Sequence, residues 1–146
     1  MNVRPMLLAL AAGVAISTEA TAQGNQYQQQ IANQINSAAT LVKSQGYSAD
    51  RAPMMGSLND DAQESIMINL NAGTRYAFVG VCDNDCTDVD LQLFGGDGTK
   101  IAEDLDTDDK PVLQFVAPYT GSYRMKVLMP SCNQNPCYYG VQIFVK

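Results

Sequence analysis

The chain has 146 residues, nine basic and 15 acidic side chains, a net charge of −6 and no histidine. That balance argues against nucleic acid or an anionic membrane as a partner. Without histidine, Ser-His-Asp and Cys-His catalysis and the common histidine-based metal sites are excluded.

In chain order, the first 22 residues read as an export signal. Arg4 supplies the positive end, "MLLALAAGVAI" an apolar run too short to span a bilayer, and Ala20-Thr21-Ala22 a small-x-small cleavage site before Gln23. No cysteine stands at that site to carry a lipid. Removing 22 residues leaves 124, one domain's worth of chain with a real core, expected to be secreted or periplasmic with no membrane span.

Residues 25–45 place Tyr27, Ile31, Ile35, Ala38 and Val42 at helical spacing among glutamines and asparagines, with Gly46 as the stop. This predicts an amphipathic helix with a thin apolar stripe, either packed on the domain or offered to a partner. Residues 47–63 carry proline, glycine and small polar residues and read as an extended linker. The expected organisation is therefore a signal over 1–22, helix and linker start over 23–50, and one β domain over 51–146.

From Glu64 the apolar period becomes two. Ile66, Ile68 and Leu70 alternate, "NAG" turns the chain, and Tyr76 to Val81 is long enough for a buried strand. Val89, Leu91 and Leu93 then face one way and Asp88, Asp90 and Gln92 the other, before a "GGDG" turn. A short strand around Ile101, the polar loop "DLDTDD", the strand "PVLQFVA" and a "PYTG" turn follow. Tyr123, Met125, Val127 and Met129 alternate in the next strand, and Tyr139, Val141, Ile143 and Val145 in the last. Some seven to eight strands with turns every eight to twelve residues predict an all-β, antiparallel sandwich of jelly-roll-like form.

Four cysteines lie beyond the signal, as Cys82-x3-Cys86 and Cys132-x4-Cys137. In an exported chain they read first as two disulfides, with a four-thiolate zinc site as the rival. Three pairings exist; the local one, Cys82 with Cys86 and Cys132 with Cys137, is preferred because each pair brackets a turn-forming run, "DND" and "NQNP".

Three stretches in succession, "LNAGTRYAFVG", "DVDLQLFGGDGTKIAED" and "LQFVAPYTGSYRMKV", resemble the ordered signatures of the bacterial pre-peptidase C-terminal domain family. The resemblance covers roughly residues 56–146. It implies a jelly-roll-like sandwich of secreted bacterial proteins, related to the collagen-binding domain of clostridial collagenases and usually a non-catalytic appendage. The cysteine loops and the glutamine-rich helix lie outside that pattern.

Between Asp83 and Asp109 stand nine aspartates and Glu103 against Lys100 alone. Asp83, Asp85, Asp88, Asp90, Asp104, Asp106, Asp108 and Asp109 are candidate calcium ligands if the two loops meet in space. No EF-hand is present: counting from Asp83 or Asp104, the sixth position is aspartate and the twelfth phenylalanine. The alternative is a solvated acidic rim that keeps sheet edges from pairing. A glycosidase-like carboxylate pair would need one acid buried enough to keep a proton at neutral pH, whereas these acids read as lying in polar loops and on an exposed strand face. Among the tyrosines, alternation puts Tyr139 in the core and leaves Tyr119 and Tyr138 as partner-binding candidates. The function these features predict is an exported, non-catalytic binding module for an extracytoplasmic protein or polysaccharide, with calcium as its one candidate cofactor. The alternative is an envelope assembly protein that exposes the stripe Tyr27, Ile31, Ile35; a hydrolase ranks third.

Overall fold

The computed structural model describes residues 19–146, with side chains from Gln26 onward. The export signal expected over residues 1–22 falls mainly outside the described residues.

One helix, α1 (Glu19–Ser44), is followed by nine strands: β1 (Ser48–Ala49), β2 (Met54–Leu58), β3 (Gln63–Leu70), β4 (Arg75–Cys82), β5 (Cys86–Phe94), β6 (Lys100–Asp104), β7 (Val112–Val116), β8 (Gly121–Cys132) and β9 (Cys137–Val145). All pairings are antiparallel. Sheet A runs β1-β9-β4-β7, with β2 also on β9, and sheet B runs β3-β8-β5-β6. The expected β-sandwich is the fold. Between the sheets, the alternating side chains of the sequence meet: Leu70, Tyr76, Phe78, Val89, Leu91, Leu93, Leu113, Tyr123, Met125, Val127, Met129, Tyr139, Val141 and Ile143 form one buried cluster.

Two regions differ from the sequence-based expectation. Residues 47–63 are not a free linker: Tyr47 is buried, and β1 and β2 both pair with β9. The backbone of a Pro- and Gly-bearing segment still needs partners, and the edge of β9 supplies them. The apolar stripe of α1 buries Ile31, Ile35 and Val42 as expected, but Ala39 is buried in place of Ala38, which is only partly covered.

This stripe packs on the outer face of sheet A. Ile31 and Ile35 meet Val81, while Ala39 and Val42 meet Ala77, Val79, Phe144 and Tyr47. The helix comes this close because residue 140 is glycine; a Cβ there would lie 2.4 Å from Ile31 Cγ2 and 3.0 Å from Ile35 Cδ1. Gly46, at φ 90°, ends the helix, with its N–H on the Lys43 carbonyl and the Tyr47 N–H on that of Val42. The helix layer also explains the unbroken run from Tyr76 to Cys82. Helix covers one face of β4 and the sandwich core the other, so all seven of those residues are buried.

Candidate functional site

The two cysteine pairs are disulfides in the local pattern, Cys82–Cys86 and Cys132–Cys137, with Cα separations of 5.9 and 5.8 Å. Their loops share one end of the sandwich and touch, the Asn133 N–H donating to the Asp85 carbonyl at 2.8 Å. Asp83, only 1% exposed, organises this end. Its carboxylate accepts the N–H of Tyr138 at 2.8 Å and of Asp85 at 3.2 Å, its own N–H donates to the Tyr138 carbonyl, and its carbonyl accepts the Cys86 N–H. Burial pushes the Asp83 carboxyl up, and the backbone N–H donors pull it back. Asp83 is thus a buried turn-former, not part of a solvated rim.

The helix is fastened to the same turn by polar contacts. Gln34 Nε2 donates to the Cys82 carbonyl at 2.6 Å, the Asn84 N–H donates to Gln30 Oε1 at 3.1 Å, and the Tyr27 hydroxyl donates to Asp85 Oδ2 at 3.4 Å. Tyr27 also stacks on Tyr138, with ring centroids 4.9 Å apart. Gln30 and Gln34, which lie off the apolar stripe, are therefore among the residues that place α1 over the disulfide loop.

The largest correction concerns Asp88 and Asp90. They do lie on the face of β5 opposite Val89 and Leu91, yet that face is not exposed: Asp88 is 9% and Asp90 7% accessible. The register of β5 against β8 shifts between Cys86 and Asp88 and again between Asp88 and Asp90. Beyond the end of β6 the acidic loop lies along β5, with the Val89 N–H on the Asp108 carbonyl at 3.0 Å. One oxygen, Oδ1, of each of the two aspartates is buried without a hydrogen-bond partner. Burial and then the like charges of Asp88, Asp104, Asp108 and Asp106 push the Asp90 carboxyl up to about 6; burial and then Asp108 push Asp88 up too.

A pH dependence follows. Asp90 holds its proton more tightly folded than unfolded, so the stability this gives is fully present below about pH 4 and is lost as pH rises through about 6. The neighbouring Asp106 and Asp108 are exposed, so solvent screening of their charges reduces the effect to about 1–2 kcal/mol. In metal-free buffer the urea midpoint should fall between about pH 4.5 and 7, and Asp90→Asn should flatten that fall; a midpoint that rises across the window in the wild type alone would contradict the burial.

The other acids have ordinary local duties. Asp104 accepts the N–H groups of Asp106 and Val112, Asp108 that of Lys110, and Asp109 pairs with Lys110 at 3.3 Å. Of the eight candidate ligands, the fold brings Asp88, Asp90, Asp104, Asp106 and Asp108 into mutual electrostatic reach and leaves Asp83, Asp85 and Asp109 apart in other interactions. Among the described residues, no three acids are arranged to grip a metal as they stand. The two tyrosine candidates are far from one another. Tyr138 sits beside the disulfide loops, while Tyr119 (36% exposed) precedes β8 at the opposite end, stacked on Tyr123 and accepting the Gly96 N–H.

Between α1 and the acidic end lies an open groove of about 660 Å³. Gln30, Asn33, Gln34 and Ser37 line one wall and Asp83, Asn84, Asp109 and Lys110 the other, with Leu41, 69% exposed, at its rim. Its lining is largely apolar surface, from Ala38, Leu41 and side-chain stems, set with the amides of Asn33 and Asn84 and the Ser37 hydroxyl, groups that read hydroxyls or a peptide backbone.

The architecture is that of a two-sheet antiparallel sandwich with a helix added to one sheet. Its likeness is to the pre-peptidase C-terminal domain of a collagenase from Bacillus anthracis, at 14% identity and a TM-score of 0.51 over 63% of this chain and 87% of that one. The chain therefore has the fold its three sequence signatures resemble. A periplasmic inhibitor of g-type lysozyme from Aeromonas hydrophila, PliG, aligns at 14% identity and a TM-score of 0.48, over 68% of this chain and 89% of that one. No protein-family model and no curated protein matches the chain.

Proposed function

We propose that the chain is an exported, non-catalytic binding module for an extracytoplasmic protein or polysaccharide, modulated by calcium. The observation that carries the reading is the groove between α1 and the disulfide loop, an apolar floor with a few side-chain amides and a hydroxyl at its walls. Neither acid in it is free for proton transfer: both oxygens of Asp83 accept backbone N–H groups, and Asp109 is paired with Lys110. The export signal read over residues 1–22 and the two disulfides support a destination outside the cytoplasm. The alternative in which the stripe of α1 drives assembly loses its basis, because Ile31 and Ile35 are buried on sheet A.

The groove is tested by calorimetric titration against soluble cell-wall polysaccharide and a panel of secreted proteins. A genuine partner should be lost or weakened at least about tenfold by Ser37→Trp, which fills the groove from an exposed helix position. A partner whose affinity is unchanged would sink the groove as the site.

Calcium is favoured by the two orphaned oxygens. A buried carboxylate without a donor is costly, and a hard divalent cation is what an oxygen-only set takes. Asp88 and Asp90 would hold it, with the 105–110 loop moving in to complete the shell. Millimolar calcium on a site of about 10 μM adds about 2.7 kcal/mol, a rise of several degrees in Tm. Sodium chloride of equal ionic strength should not reproduce this rise, and Asp88→Asn with Asp90→Asn should remove it; equal rises in the two salts would sink the calcium reading.

A further inference from the structure

Strand β7 forms one edge of sheet A. Its pairing with β4 is continuous from Arg75↔Val116 to Val79↔Val112, without a bulge. The Gly80 N–H donates to the Pro111 carbonyl and the Ala117 N–H to that of Thr74, so hydrogen-bonded pairs alternate through Leu113 and Phe115. The main-chain groups of Val112, Gln114 and Val116 therefore point away from the sheet. Asp104 Oδ2 accepts the Val112 N–H at 2.8 Å; no described residue takes up the other two N–H groups. Val112 (40% accessible), Gln114 and Val116 (48% accessible) are also the exposed side chains of the strand. An edge with no charge, proline or bulge within Val112–Val116 is a template for further pairing.

We infer that this edge pairs with the same edge of a second copy, antiparallel about a two-fold axis through Gln114. The segment Val-Leu-Gln-Phe-Val reads nearly the same in both directions. Pairing about its centre sets Gln114 opposite Gln114 and Val112 opposite Val116, covering both exposed valines. It forms about four main-chain hydrogen bonds while the Val112 N–H keeps Asp104. The charges agree with this register. Each acidic 104–109 loop comes to the Ala117–Tyr119 end of the other copy, so the two loops stay at opposite ends. Arg75, beside Val116 on β4 and without an ion-pair partner among the described residues, turns toward the acidic loop of the second copy.

So small an interface places the dissociation constant in the range of about 10 to 1,000 μM. Sedimentation velocity across that range should show the wild type passing from monomer to dimer. Because Gln114 lies on the axis, Gln114→Lys and Gln114→Glu each set like charges face to face and should each weaken the dimer at least tenfold, while an equimolar mixture of the two should dimerise. Gln114 is exposed, so neither variant threatens folding, and matching melting curves would confirm this. A wild type that stays monomeric throughout, or a Gln114→Lys variant that dimerises like the wild type, overturns the inference. So does a mixture that associates no better than either variant alone.

Discussion

A chain shortened to begin at Arg51 is expected to melt at least about 15 °C below the full-length protein, or to aggregate before it melts. The cut leaves strands β2 to β9 intact but strips the outer face of sheet A. Ala77, Val79, Val81 and Phe144, all at most 3% exposed, owe that burial to the helix layer and Tyr47. Each large apolar side chain returned to water costs about 1.5–3 kcal/mol, and Ile31, Ile35, Val42 and Tyr47 lose their partners in the same step. The released segment regains chain entropy, which offsets part of the loss. A remainder of about 3–5 kcal/mol corresponds to 15 °C or more in a domain of this size. The single change Ile31→Ala, at the contact with Val81 and Gly140, should cost about 2–4 kcal/mol by urea unfolding. A shortened chain that melts within a few degrees of the parent would show that the helix is an accessory to a self-sufficient sandwich.

Asp83→Ala should be the most damaging single change among the aspartates, at about 2–4 kcal/mol. The substitution leaves the N–H groups of Tyr138 and Asp85 without their acceptor, in a turn closed by a disulfide and covered by α1. An unsatisfied buried donor costs about 1–3 kcal/mol, and more where its acceptor was charged. Asp109→Ala, which removes only an exposed pairing with Lys110, should change stability by less than about 0.5 kcal/mol. Equal small effects at the two positions, measured by urea unfolding, would return Asp83 to the solvated rim.

The contrast between these two aspartates marks where the sequence was legible. Alternation over Val89 to Leu93 and Tyr123 to Met129 specifies strands and their inward faces, because a period of two has one physical meaning on a half-buried sheet. The three ordered hairpin signatures and the local cysteine spacing lead to the sandwich and its disulfides. Nothing in the composition of residues 83–109 separates an acid that bonds backbone N–H groups from one in water. That distinction depends on which loop folds over which strand.

Sequence by itself therefore determined the sandwich class, the inner faces of the alternating strands and the helix, and favoured the local disulfide pairing, since local periodicity and short-range spacing carry all of these. Tertiary structure alone decided the rest. It turned the 47–63 stretch into two edge strands by offering it the unpaired side of β9, and drew α1 onto sheet A through the missing Cβ of Gly140. It buried Asp88 and Asp90 by laying the Asp106–Asp108 backbone along β5. Each of these outcomes joins segments far apart in the chain, where burial is set by what arrives from elsewhere and not by a residue's own neighbours.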